Sequence, residues 1–150
     1  MDYWRSMMHN WRRWEALTPD ERIMLVQSFF LLPVFSVFRR LGFRRVQSLC
    51  QIIACSSGPV TGSRESQVEI ARQAARMISI AASHVVLPMS CLDKSALLWA
   101  MLRRRGIDSD LLLGVRTDNG FFEAHAWVEM AGVVLNDYED VRQRDAAVEW

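Results

Sequence analysis

The sequence predicts an α+β fold in which helices come first and a small antiparallel sheet follows. The apolar positions recur about every 3.6 residues up to the region of residue 105, and about every second residue after it. Hydrophobic residues make up 51% of the 150 residues and aromatic residues 10%, a composition typical of an ordered chain with a buried core. A chain of this length is most simply one domain.

The charge is unevenly distributed along the chain. The net charge is +1, so we expect no general attraction to nucleic acid. Residues 1–60 hold eight arginines against four acidic residues, whereas residues 61–150 hold ten basic residues against thirteen acidic ones. The change falls near "SSGPVTGS" at 56–63, a run of chain-breaking residues. We therefore expect a helical segment over 1–60 that packs on a core formed by 61–150.

Two helices are predicted in the first segment. "TPDE" at 18–21 has the pattern of a helix start, with Thr18 as the cap and Glu21 completing a capping box. The apolar run over 23–38 is short for a membrane span and contains Pro33, so we expect a helix kinked or broken there and buried on the domain; membrane contact is the less favoured alternative. A second helix is expected after Gly42.

The cysteines are too few and too irregularly spaced for a disulfide framework, which indicates the reducing cytoplasm. Cys50 and Cys55 do not have the spacing of a zinc site, and both are expected to be small core residues on a helix. We expect no metal and no cofactor.

The second segment is predicted to continue with two helices and then three strands. The first helix has Ser66 and Glu69 as its capping box, and the second runs from Cys91 to about Arg105, where Gly106 ends it. The strands are "DLLLGV", "FFEAHAWVEM" and "VVLND", with a hairpin turn at 117–120.

Cys91 is the first candidate for chemistry. Ser90 is the expected cap of its helix, and Asp93 follows three residues after the serine. The first turn of a helix has free N–H groups and the positive end of the helix dipole, which stabilise an anion. Thiol enzymes use such a position for the nucleophile and for the oxyanion. The alternative is a small residue packed under a turn.

His125 and Asp137 complete a candidate triad with Cys91. His125 lies on the second strand between Ala124 and Ala126, which we expect to point inward from the opposite face. Asp137 ends the third strand, where it can orient the imidazole. Cys91 would then attack, His125 would carry the proton and Asp137 would hold the ring. Each residue also has an ordinary structural explanation.

The stretch "CLDKSALLWAMLRRRGIDSDLLLGV…FFEAHAWVEMAGVVLND" resembles the core of the lasso-peptide leader peptidases, the peptidase half of the split B protein. The resemblance is dense over residues 88 to 137, and over 11–50 it is one of composition. It implies a transglutaminase-like, papain-like fold in which Cys91, His125 and Asp137 remove the leader from a precursor peptide. Such family members work with a macrolactam cyclase. Because 1–60 are expected to be helical, without a leader-recognition domain, the resemblance also implies a separate recognition protein as partner.

Two other functions are consistent with the same residues. One is acyl transfer to an amine by the same triad, in the manner of a transglutaminase or an acetyltransferase. The other is a non-enzymatic adaptor that contacts a membrane through residues 23–38. Trp127 shares the strand face of His125, where three roles are open to it: lining the peptide cleft, shielding the His125–Asp137 pair, or plain packing. His84 is expected at a helix end, and Lys94 and Ser95 in packing and solvation.

Overall fold

A computed structural model of the chain describes residues 14–55, 62–118, 121–137 and 146–149. Over these residues, four helices of at least twelve residues precede a sheet of four strands, so the predicted α+β class is confirmed. The helices lie before the sheet in the chain, as the change of hydrophobic period indicated.

Helix α1 spans Pro19–Arg40 and begins as the sequence predicted. The Thr18 side chain accepts a hydrogen bond from the Glu21 N–H, and the Glu21 carboxylate accepts one from the Thr18 N–H at 2.9 Å. The helix does not break at Pro33, which lies in its interior. Proline removes one intrahelical hydrogen bond, and the packing of the helix on both sides of Pro33 compensates for that loss.

Only one face of α1 is buried, whereas the sequence predicted that the apolar helix would be buried on the domain. Met24, Leu32 and Phe35 lie in the core, whereas Phe30 is 69% exposed and Ile23 is 52% exposed. By length and composition the helix is apolar enough to cross a membrane, and 33% of its apolar window is buried in the protein. Apolar residues on both the buried face and the exposed stripe contribute to this hydropathy.

Helix α2 spans Phe43–Ala54, and the first two cysteines, one within it and one at its C-terminal cap, lie in different environments. Cys50 is fully buried, as predicted, and its burial raises the pKa of the thiol to about 12. Cys55 is exposed at the end of the helix, so the prediction that it is a core residue is wrong. The helix ends at Ala54, one residue too early to carry Cys55 inward.

Helix α3, Arg64–His84, starts one turn earlier than predicted. The cap is Ser63, whose hydroxyl accepts a hydrogen bond from the Ser66 N–H, so the predicted capping box of Ser66 and Glu69 is wrong. The predicted apolar face is buried in its centre, and His84 is the last residue of the helix, as expected.

Helix α4, Cys91–Arg104, matches the prediction closely at both ends. Gly106 follows it with φ of 71°, and the Ile107 N–H donates to the Leu102 carbonyl at 3.0 Å. This hydrogen bond and the left-handed glycine are typical of a helix end that turns sharply into a strand.

The sheet has the order β3-β2-β1-β4 and is antiparallel throughout. Strands β1 and β2 are the long central pair; the bounds are β1 Asp110–Asp118, β2 Phe121–Met130, β3 Val133–Val134 and β4 Ala146–Glu149. Strand β4, which pairs with β1, was not predicted. The third strand was predicted to extend to Asp137, but β3 has only two residues. Part of the predicted turn at 117–120 lies outside the described residues.

A single buried cluster joins the helices to the sheet. It includes Phe35 of α1, Ile78 of α3, Leu98 of α4 and Val128 of β2. The division into a segment over 1–60 and a core over 61–150 stays a prediction, although side chains from both sides of it pack in this cluster.

Candidate active site

Cys91 is the first residue of α4, and the local sequence fixes that position. The Ser90 hydroxyl accepts a hydrogen bond from the Asp93 N–H at 3.1 Å, and the Asp93 carboxylate accepts one from the Ser90 N–H at 2.9 Å. The predicted cap is thus present, with Asp93 acting as its acid. The first N–H groups of a helix have no intrahelical acceptor, and Ser90 accepts from that of Asp93. The N–H groups of Cys91 and Leu92 are therefore the ones available to stabilise negative charge beside the thiol.

The thiol faces strand β2 next to His125. Its Sγ lies 4.0 Å from the carbonyl oxygen of Ala124, the residue that precedes the histidine. Among the described residues no hydrogen bond joins the thiol to the imidazole itself. The structure therefore places Cys91 beside the histidine-bearing part of β2 without joining the two side chains.

His125 and Asp137 are in direct contact. Nε2 of the imidazole is hydrogen bonded to the Asp137 carboxylate, and both side chains are largely buried, with 29% and 12% of their surfaces exposed. Because Nε2 is engaged by the carboxylate, Nδ1 is the ring nitrogen left to exchange a proton. The structure thus brings together two of the three predicted residues.

Asn136 determines where Asp137 lies. The Leu135 N–H still donates to the Val128 carbonyl at 3.0 Å, but the next residue continues the pairing through its side chain. The Asn136 amide oxygen accepts a hydrogen bond from the Val128 N–H at 2.8 Å. The backbone can therefore leave the sheet after Leu135 while remaining close to β2, and it carries Asp137 to the imidazole.

Ser95 is a structural residue of the site whose role was not predicted. Its hydroxyl, which is fully buried, donates to the Ala126 carbonyl at 2.8 Å and accepts from the Asn136 amide nitrogen at 2.8 Å. This one hydroxyl therefore joins α4, β2 and the segment that carries Asp137. Its place four residues after Cys91, on the same helix face, is the sequence signal that could have identified it.

Trp127 packs against the histidine. Its ring is fully buried, and it stacks on His125 with centroids 6.0 Å apart and an angle of 23° between the rings. The indole N–H donates to the buried carboxylate of Glu129 at 2.7 Å. Burial on this face favours shielding of the His125–Asp137 pair; a direct part in peptide binding stays a prediction.

The two alanines beside His125 differ from the prediction in part. Ala126 is buried, as expected for the inward face. Ala124 is exposed, so the prediction that it packs inward is wrong. The carbonyl of Ala124 is the group that meets the thiol.

An ion pair links α1 to the start of α4. The Arg39 Nε donates to both carboxylate oxygens of Asp93, at 2.9 and 3.1 Å. Asp93 is almost fully buried, and it thus accepts hydrogen bonds from Arg39 and from the helix cap together. The last turn of α1 therefore supports the position of the helix start that carries Cys91.

Other residues considered from the sequence lie outside this cluster. The exposed His84 ring has its Nδ1 2.8 Å from the Ile80 carbonyl oxygen, within its own helix. In the described part of the chain, no group of three or more His, Cys, Asp or Glu side chains is arranged to hold a metal ion.

A cysteine at a helix start beside a histidine–carboxylate pair on an antiparallel sheet is an arrangement suited to acyl-transfer chemistry. The family model described as the transglutaminase-like superfamily matches residues 34–148, and the chain belongs to that superfamily. The chain is also similar to the microcin J25-processing protein McjB of Escherichia coli, with 43% identity over 54 residues. That match covers 36% of this chain and 25% of the McjB sequence. No solved structure gives a significant match.

These findings confirm the resemblance that the sequence predicted, at the level of the family. The family match includes Cys91, His125 and Asp137 within its range, and it begins inside α1 at residue 34.

Proposed function

We propose that this protein is a cysteine peptidase that removes the leader from a lasso-peptide precursor. The observation that carries the proposal is the His125–Asp137 pair, held beside the helix start that bears Cys91. Membership of the transglutaminase-like superfamily and the partial similarity to McjB, whose name describes the processing of microcin J25, support it.

In the proposed reaction, the Cys91 sulfur attacks the carbonyl carbon of the scissile peptide bond. Nδ1 of His125 accepts the thiol proton, and N–H groups at the start of α4 stabilise the oxyanion. The proton then passes to the leaving amine, and the leader remains on Cys91 as a thioester. Water, deprotonated by His125, attacks that thioester and releases the leader as a carboxylic acid and the cysteine as a free thiol.

Asp137 would act through His125. Its bond to Nε2 keeps the proton of the neutral ring on that nitrogen, so that Nδ1 is free to accept the proton from sulfur. The carboxylate also stabilises the imidazolium formed after proton transfer. Trp127 covers the pair and limits competition from water for the same hydrogen bonds.

The proposal includes partners that act before and after cleavage. A separate recognition protein would hold the leader, and a macrolactam cyclase would use the α-amine that cleavage frees. We place these reactions in the cytoplasm, where a peptidase with a reactive thiol and no disulfide framework remains reduced.

The test is mass spectrometry of the precursor after incubation with this protein and the recognition protein. Wild type should give two fragments whose masses add to that of the precursor plus one water. Cys91→Ala and His125→Ala should give none, and Asp137→Ala should lower the rate by a factor on the order of 10²–10⁴. Cys55→Ala and His84→Ala, which change an exposed cysteine and an exposed histidine, are matched controls that should cleave like wild type.

The other outcomes separate the alternatives. Cleavage by folded Cys91→Ala would contradict the mechanism. An adduct of the uncleaved precursor with an added primary amine, formed at a side-chain amide with loss of ammonia, would indicate acyl transfer on the same triad. Neither product from folded wild type with its partner bound would favour the adaptor function of the apolar helix.

A further inference from the structure

A cleft opens between α3, α4 and the segment after β3, next to the candidate active site. Its volume is about 270 Å³, and Ala75 and Leu135, which are mostly but not fully buried, contribute apolar surface to it. Its polar groups come from Arg72, Arg76, Ser79, Lys94 and Asn136. The cleft therefore combines an apolar lining with cationic and amide groups.

Two residues place this cleft close to the proposed chemistry. Lys94 follows Cys91 by three residues on α4, about one turn of helix and therefore on the same side of it. Asn136 immediately precedes Asp137 and is bonded to Ser95 on the same helix. A peptide held across the thiol would thus have its neighbouring side chain within reach of the cleft.

The charge of the cleft is positive after its known ion pairs are counted. Arg76, which also lines it, is paired with the buried Glu21 of α1. The nearby carboxylates of Asp93 and Asp137 are engaged by Arg39 and His125. In the part of the chain that the structure describes, no carboxylate forms an ion pair with Arg72 or Lys94.

We infer that this cleft is a subsite that binds an acidic side chain of the peptide substrate, one helical turn from Cys91. The inference rests on the proposed function for the identity of the substrate. A carboxylate on an aliphatic stem fits the chemistry. The stem packs on Ala75 and Leu135, and the carboxylate accepts hydrogen bonds from Lys94, Arg72 and the Asn136 amide.

The first experiment measures the charge preference around Cys91 without a peptide substrate. The probes are N-iodoacetyl-β-alanine and its amide, which have the same length and differ in charge. Both alkylate free thiols, and peptide mapping gives the rate at each cysteine. The exposed Cys55 is the internal reference, because it caps the end of α2 and does not line the cleft.

We expect the ratio of the carboxylate rate to the amide rate to be about three- to tenfold higher at Cys91 than at Cys55 in low salt. Lys94→Gln should bring the Cys91 ratio close to that of Cys55, and Arg72→Gln should lower it in part. Arg64→Gln, an exposed arginine at the start of α3, is the matched control and should leave it unchanged. A high ratio that survives both cleft substitutions would overturn the inference, because the helix start would then account for it. Equal ratios at the two cysteines would also overturn it.

The second experiment uses the precursor, with each Asp or Glu changed singly to Asn or Gln. One such change should raise KM about tenfold for wild type and have little effect for Lys94→Gln. If the probes show the charge preference and wild type cleaves no precursor, the cleft stands and the peptidase function fails. If the precursor is cleaved with no acidic position affecting KM, the function stands and the subsite fails.

Discussion

At the scale of single residues, the buried hydroxyl of Ser95 holds the segments of the candidate active site together. It accepts a hydrogen bond from Asn136 and donates one to the Ala126 carbonyl, so three segments of the site meet at one oxygen. Each of those partners is left without this bond if the hydroxyl is removed, and buried polar groups without partners are costly. Ser95 is therefore a positioning residue for the His125–Asp137 pair.

Ser95→Ala should destabilise the protein by about 1–3 kcal/mol, because two buried polar groups lose their partner. It should also lower kcat for leader cleavage, since the substitution displaces the His125–Asp137 pair. Urea denaturation and initial rates measure the two effects. Ser83→Ala, in which an exposed hydroxyl is lost, should change neither. Wild-type stability together with wild-type kcat in Ser95→Ala would contradict a positioning role.

The difference between Cys91 and Ser95 shows which parts of the site a sequence can reveal. The cap at Ser90 and Asp93 depends on hydrogen bonds within three residues, so local sequence determines it. The bond of Ser95 to Asn136 joins residues 41 positions apart, and it exists only once α4 has packed on the sheet. Residue type alone does not distinguish that serine from one in solvent.

At the scale of elements, helix ends were predicted correctly where one local pattern had no competitor. The Thr18–Glu21 box is an example. The start of α3 was wrong because Ser63 and Ser66 can both cap a helix, and the earlier one adds a turn to it. Strand β4 was missed because its four residues gain their hydrogen bonds from the edge of β1, a partner that local periodicity does not show.

Glu21 links α1 to α3, and its ionisation makes the stability of the protein depend on pH. Its carboxylate caps α1 and pairs with Arg76 of α3. The pKa of Glu21 is lowered from 4.5, first by the hydrogen bond from the Thr18 backbone and then by the charge of Arg76, against the opposing effect of desolvation. Because the pKa of Glu21 is lower in the folded than in the unfolded protein, its ionised carboxylate stabilises the fold. This stabilisation is complete above the unfolded-state pKa and is lost as the pH falls through the folded-state pKa.

Glu21→Gln should therefore be less stable than wild type at pH 7, and the gap should narrow as the pH falls below about 4. The reason is that wild type loses the charged form of Glu21 in that range, whereas glutamine has no proton to gain. Urea unfolding of both proteins at pH 7, 5, 4 and 3 measures the gap. A gap of constant size across these values would show that the charge of Glu21 contributes nothing to the link between α1 and α3.

At the scale of the whole molecule, the helices that precede the linker and the core that follows it share buried surface. The Cys50 sulfur of α2 contacts the Ala96 carbonyl of α4 at 3.7 Å. The Arg39–Asp93 ion pair joins α1 to the same helix. The sequence suggested a boundary near residue 60 from charge and from chain-breaking residues, neither of which reports the packing of side chains. Because the two parts share this buried surface, we expect them to unfold cooperatively.

Cys50 can measure that cooperativity, because it lies between the two parts and its pKa is raised to about 12 by burial. In the variant Cys55→Ala/Cys91→Ala, Cys50 is the remaining cysteine of the three. Its alkylation by iodoacetamide at low urea concentrations gives the free energy of the opening that exposes it. We expect that free energy, and its dependence on urea, to equal those of global unfolding followed by tryptophan fluorescence, because separating α2 from α4 exposes the common core. An opening that costs less and responds weakly to urea would instead show that residues 1–60 detach from a folded catalytic core, and the positioning of Cys91 through Arg39 would then be a reversible contact.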